Sequence, residues 1–153
     1  MSVDTTEIKK NLEKIKDLYV KSIDAKESSL YSKLAILELC GWIEESMDYI
    51  ILRYASKHLR SSNNLDAIKG IITDTHGFDY KEHFRKALRQ CIGLINIEKL
   101  EKQLTTSRFF DPLKAELSNL RKVRDEVSHT YITVMKKYDA PSITLNRLEL
   151  IYK

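Results

Sequence analysis

One cation set in the middle of an apolar stripe constrains this chain more than any other feature. Between Pro112 and Tyr131, apolar residues recur at Leu113, Leu117, Leu120, Val127 and Tyr131. That spacing keeps to one side of a helix with 3.6 residues per turn. Arg124 falls inside the stripe, seven residues from Leu117 and seven from Tyr131. A guanidinium keeps its proton in a protein, and burying it unpaired is costly. Arg124 therefore requires a carboxylate, a second subunit or an anionic ligand. Glu44, at the edge of another apolar stripe, is a candidate carboxylate, and an exposed acid is the alternative. His129 follows five residues after Arg124, and imidazole is the side-chain type whose charge changes near neutral pH. Asp111 as cap and Pro112 in the first turn give this helix a clear start.

The rest of the chain repeats the helical period. Residues 5 to 25 carry Ile8, Leu12, Ile15, Leu18 and Ile23 beside a lysine-rich outer face, with Asp4, Thr5 or Thr6 as cap. Ser28 or Ser29 can cap a longer helix to about Leu59, apolar at Ile36, Leu37, Cys40, Ile43, Met47, Ile50, Ile51 and Tyr54. A stripe that wide suggests a central helix with more than one neighbour. Asn63 or Asn64 can start a short helix through Ile68, Ile71 and Ile72, and Gly77 breaks the pattern. From Tyr80 to about Leu104 the pattern returns at Phe84, Leu88, Cys91, Ile92, Ile95 and Leu100, with Gly93 tolerated at some cost. A final helix spans 142 to 152, after Pro141. It stops without a C-cap, so a natural end and a truncation both stay open. Only 4 glycines and 2 prolines interrupt the 153 residues. The expectation is a single all-α domain, an antiparallel bundle of about five helices.

Composition bounds the function. No apolar run is long enough for a membrane helix, and the N-terminus lacks a signal core, which fits a cytoplasmic protein. Cys40 and Cys91 sit in helical patterns, as reduced thiols do. The net charge, 26 − 22 = +4, permits RNA as a partner. Lys81, Arg85, Lys86 and Arg89 form a basic face beside Tyr80 and Phe84, and Arg121 and Lys122 flank Arg124. Basic residues beside aromatics can track a phosphate backbone and stack bases, and a solvated helix face has the same pattern. His76 and His83 have no matched ligand set at helical spacing, so no metal or other cofactor is expected.

The run Arg124-Asp125-Glu126-Val127-Ser128-His129 resembles the signature of the HEPN superfamily. Tyr131 extends it to the Arg-x4-His-x-Tyr form of HEPN toxins paired with minimal nucleotidyltransferases. The run from Leu34 to Glu45 looks like the first core helix of the RiboL-PSP branch, and the resemblance covers roughly residues 30 to 135. Asp125 departs from the family, where many members have Asn. The resemblance implies a HEPN-like helical fold and a metal-independent endoribonuclease serving as a toxin or phage-defence effector. Arg124 and His129 would be catalytic, with Asp125, Tyr131 and Glu44 supporting. A nucleotidyltransferase antitoxin could modify Tyr131. The competing class is a non-catalytic HEPN module that dimerises or binds nucleotides or RNA. A third reading, from the residues alone, is an interaction domain in which Arg124 makes a structural salt bridge.

Geometry adds a condition. Five residues along a helix leave Arg124 and His129 about 140° apart. Either the helix ends or distorts before His129, or two copies share the site. The resemblance implies the second, with two motif helices meeting at a two-fold interface.

Overall fold

The computed structural model describes residues 3–129 and 137–152. Among them every regular element is helical. The order is α1 (Thr6–Val20), α2 (Ala25–His58), α3 (Ser62–Asp74), a π-helical turn (Tyr80–Phe84), α4 (Arg85–Thr105), α5 (Phe110–His129) and α6 (Pro141–Tyr152). The chain forms two compact units, Met1–Trp42 with Asn119–Lys153, and Ile43–Ser118, so a boundary falls inside α2 and another inside α5.

In the first unit, α1 packs on α6. Ile8, Leu12 and Ile15 are buried on α1, Ala35, Ile36, Leu39 and Cys40 on α2, Leu120 and Val127 on α5, and Leu148 on α6. Asp4 accepts the N–H of Thr6 at 2.8 Å, one of the three expected caps. The first helix stops earlier than its apolar pattern. The Ser22 hydroxyl donates to the Tyr19 carbonyl at 2.6 Å and closes the last turn. Ile23, expected on the stripe, is 93% exposed. The next helix starts before Ser28 and Ser29. Asp24 accepts the N–H of Glu27 at 2.8 Å, and the Glu27 carboxylate accepts the N–H of Ile23 at 2.8 Å. This reciprocal arrangement satisfies two backbone donors at once and displaces the serines into the helix. The Trp42 indole donates to the Asp4 carbonyl at 3.1 Å.

In the second unit, Ile51, Ala55, Ile68, Ala87, Leu88 and Ile97 form one buried cluster, flanked by Leu52, Leu65, Ile72, Ile92 and Leu100. Each fully buried isoleucine or leucine of the cluster contributes about 1.5–3 kcal/mol by leaving water, and the alanines less. Asn63 and Asn64 lie inside α3, which starts at Ser62. Met47 is half-buried, while Ile50 and Tyr54, expected on the α2 stripe, are exposed. Asp79 caps the π turn by accepting the N–H of Glu82 at 3.0 Å. Helix α5 begins at Phe110, so Asp111 lies in its first turn and pairs with Lys114 at 2.7 Å.

The largest departure from the periodic reading is in α4. Gly93 adopts φ 76° and ψ 160°, far from helical values. Arg85 Nε nevertheless lies 2.7 Å from Glu101 Oε1, sixteen residues on. In a straight helix their backbones would be about 24 Å apart. The helix therefore folds back at Gly93 into two arms, 85–92 and 94–105. Leu88 and Ile97, nine residues apart, can then enter one buried cluster. On an unbroken helix they would face opposite sides.

Candidate functional site

The motif residues lie in the last turns of α5. Buried Leu120 and Val127 hold this helix in the first unit's core. Arg124 is only partly sunk beside them, with 30% of its side chain exposed and its Nε 3.0 Å from Asp125 Oδ1. The other oxygen of Asp125 lies 3.9 Å from Arg121 Nε. One carboxylate thus sits between two guanidiniums. The Ser128 hydroxyl donates to the Asp125 carbonyl at 3.1 Å. His129 is exposed at the last described helical position.

The helix is continuous from Arg124 to His129. The two side chains therefore leave it about 140° apart, and no break turns them toward one point. Lys122 is exposed and Arg121 half-buried. Tyr131, named above for support and modification, lies outside the described residues.

The other expected site residues belong to the second unit. Glu44 accepts the backbone N–H of Gly77. Lys81 and Arg89 are exposed on the predicted basic face. Lys86 pairs with Glu82 at 3.1 Å. Arg85 grips Glu101 with two nitrogens, at 2.7 and 3.2 Å. A bidentate pair of this kind leaves Arg85 with little capacity for a phosphate. The aromatic half of that face is also engaged: Tyr80 is buried, and its hydroxyl donates to Glu101 at 3.0 Å. Its ring meets Phe110 edge-on at 5.0 Å. The hydrogen bond from Arg85 holds the Glu101 carboxyl below its usual range. Burial, and then the bond to Glu101, push the Tyr80 hydroxyl up.

Sequence reading missed this Tyr80–Glu101–Arg85 network, because Glu101 reaches the other two only through the fold-back at Gly93. It also missed Asp48, whose carboxyl is raised to about 6 by burial and then by Glu44 and Glu45, while His76 acts the other way. The i, i+4 spacing of Glu44 and Asp48 was the available signal. Cys40 and Cys91 are thiols and not a disulfide pair. Among the described residues no group of three His, Cys, Asp or Glu side chains is placed to hold a metal ion, and no helix is long and apolar enough to cross a membrane. Comparison of the chain with family models, with curated proteins and with solved structures gives no match.

Proposed function

We propose that this chain is a metal-independent HEPN endoribonuclease, a toxin or phage-defence effector whose site is completed by a second copy. One observation carries the reading. Arg124, oriented by Asp125, and exposed His129 share an uninterrupted helix yet point about 140° apart. One copy thus offers an anion fork and a proton carrier that do not converge, and a two-fold partner supplies the missing half of each.

The chemistry follows from the side chains. An imidazole takes the proton from a ribose 2′-hydroxyl, and the oxygen attacks the adjacent phosphorus. The bond to the 5′ oxygen breaks, that oxygen receives a proton, and a 2′,3′-cyclic phosphate remains. Arg124 neutralises the non-bridging oxygens as charge builds there. Lys122 and Arg121 extend positive charge along the same helix. Lys81 and Arg89, in the second unit, are exposed cations of their own. Arg85 and Lys86 would contribute only by releasing their acidic partners.

The test is cleavage of cellular RNA in excess EDTA, with growth of expressing cells as a second readout. Losing a charge contact made in the transition state costs on the order of 3 kcal/mol. His129→Ala and Arg124→Ala should each therefore slow cleavage ~100-fold or more. His129→Ala should stay folded, since the side chain is exposed. If His129→Ala cleaves as wild type does, the nuclease reading fails and a non-catalytic HEPN binding module takes its place.

The same reading gives Tyr131 a role as a control point for a nucleotidyltransferase partner. A nucleotide attached there adds bulk and negative charge two residues from His129, which repels RNA. Co-expression with a neighbouring nucleotidyltransferase should add one nucleotide mass, lost in Tyr131→Phe. No added mass, or mass retained in that variant, removes this role.

A further inference from the structure

The C-terminal half of α2 carries a stretch whose charge is one-sided. From Tyr49 to Leu65 the chain has no Asp or Glu, while Arg53, Lys57 and Arg60 are cations and His58 can become one. The whole stretch lies in the second unit. Asp48, the last acid before it, is half-buried. Asp66, the first acid after it, lies 2.8 Å from Lys69. Cations at a helix C-terminus offset its dipole, which accounts for Lys57 and His58 in the last turn. It does not account for Arg53, a turn earlier. Nor does it account for Tyr49 and Tyr54, whose rings stay 43% and 44% exposed.

The flat groups on this face are already arranged. Tyr54 and His58 are stacked, with ring centres 4.0 Å apart and planes 20° from parallel. The Nδ1–H of His58 donates to the Tyr54 carbonyl at 2.8 Å and pins the imidazole there. Arg53 donates to the Tyr49 hydroxyl, and its guanidinium carbon lies 5.7 Å from the centre of that ring. Tyr49, Arg53 and Lys57 are four residues apart, as are Tyr54 and His58. Each series therefore climbs one ridge of the helix, rising about 6 Å per step. Arg60 follows, exposed, just past the helix end.

That combination selects its occupant. An acidic peptide uses the cations and has no flat surface for the rings. A duplex presents phosphates but keeps its bases stacked inside. A single strand offers both phosphates and unpaired base faces. We propose that the α2 face from Tyr49 to Arg60 binds single-stranded RNA, with a base stacked on the Tyr54–His58 pair and phosphates held by Arg53, Lys57 and Arg60. The choice of RNA over DNA rests on the nuclease reading, whose own residues, Arg124 and His129, are not part of this face.

The test measures binding apart from cleavage. The full-length chain carrying His129→Ala, in which the nuclease reading expects cleavage to be slow, is the parent. It is titrated into a fluorescein-labelled oligouridylate of about 12 nucleotides and followed by fluorescence anisotropy. Tyr54→Ala should weaken binding roughly 5-fold or more, while Tyr54→Phe binds as the parent does, since the ring makes the stack. Arg53→Ala should flatten the slope of log affinity against log salt by about 0.7, one phosphate contact on a single strand. Circular dichroism melts check that each variant folds. Arg60→Ala, beyond the helix, gives the same salt readout if a helix variant does not. The strand paired with its complement should bind more weakly, and the matching oligothymidylate no more tightly. Folded variants that all bind as the parent does, a duplex that binds equally well, or a DNA strand that binds better overturns the proposal. The two readings fail separately. A wild type that binds through this face and leaves RNA intact sinks the nuclease reading alone. A wild type that cleaves, with binding untouched by the face variants, sinks this one alone.

Discussion

Asp48 shows how a single carboxyl can tie stability to pH. Burial, and behind it the charges of Glu44 and Glu45, raise it from 3.8 to about 6. A raised carboxyl means that the folded state holds its proton more tightly than the unfolded chain does. Stability is therefore lost as pH rises from about 4 to about 6, and the loss is complete above that window. Asn at 48 never ionises. Asp48→Asn should melt a few degrees above wild type at pH 7, and the gap should close near pH 4. With part of the side chain reached by solvent, the difference at pH 7 is on the order of 1 kcal/mol. Thermal melts of both proteins across this range check it. A gap that is constant with pH would mean that packing, not charge, separates them.

At the scale of elements, sequence periodicity located the helices well and their ends poorly. Ile8, Leu12 and Ile15 mark the buried face of α1, and Leu117, Leu120 and Val127 that of α5, because a helix with one wet side writes its pattern directly. Ends depend on single polar contacts, and several residues could make each one. Asp24 outcompeted Ser28 and Ser29 by pairing with Glu27. The break at Gly93 was illegible for a different reason. Both arms carry helical residues and apolar spacing, so the period continues across a turn that only φ reveals. The motif residues Arg124 and His129 were visible as types at a spacing. The grip of Arg85 on Glu101 was not, since it joins residues that an unbroken helix keeps apart.

Gly77, by contrast, was read as a breaker and is one. It leads into the π turn with φ 119°, and a Cβ there would stand 2.9 Å from two atoms of the His83 ring. Its N–H is held by Glu44, so the loop cannot shift without losing that bond. Gly77→Ala combines backbone strain with a clash, and should lower stability by about 1–3 kcal/mol. Urea titration measures this directly. Adding His83→Ala should recover part of the loss by removing the clash, while the strain at φ remains.

For the whole molecule, the question is whether one copy can complete a site. Arg124 is a partly buried cation held by Asp125, and exposed His129 leaves the same continuous helix on another side. Bending that helix to bring both onto one phosphate would break its hydrogen bonds in the last turns. Apposing two copies would keep the helix intact and, in the nuclease reading, set the Arg124 of one beside the His129 of the other. The nuclease reading therefore entails a dissociation constant in its kinetics. RNA cleavage per mole of chain should rise with protein concentration and level off where sedimentation shows the dimer to be saturated. Below that range it should fall in proportion to the dimer fraction. Arg124→Ala and His129→Ala, each inactive alone, should regain cleavage when mixed, because one of the two sites in each mixed dimer then holds both an Arg124 and a His129. A rate per chain that stays constant down to concentrations where sedimentation finds only monomer would place the whole reaction in one copy. The angle between Arg124 and His129 would then have to be closed by the RNA itself.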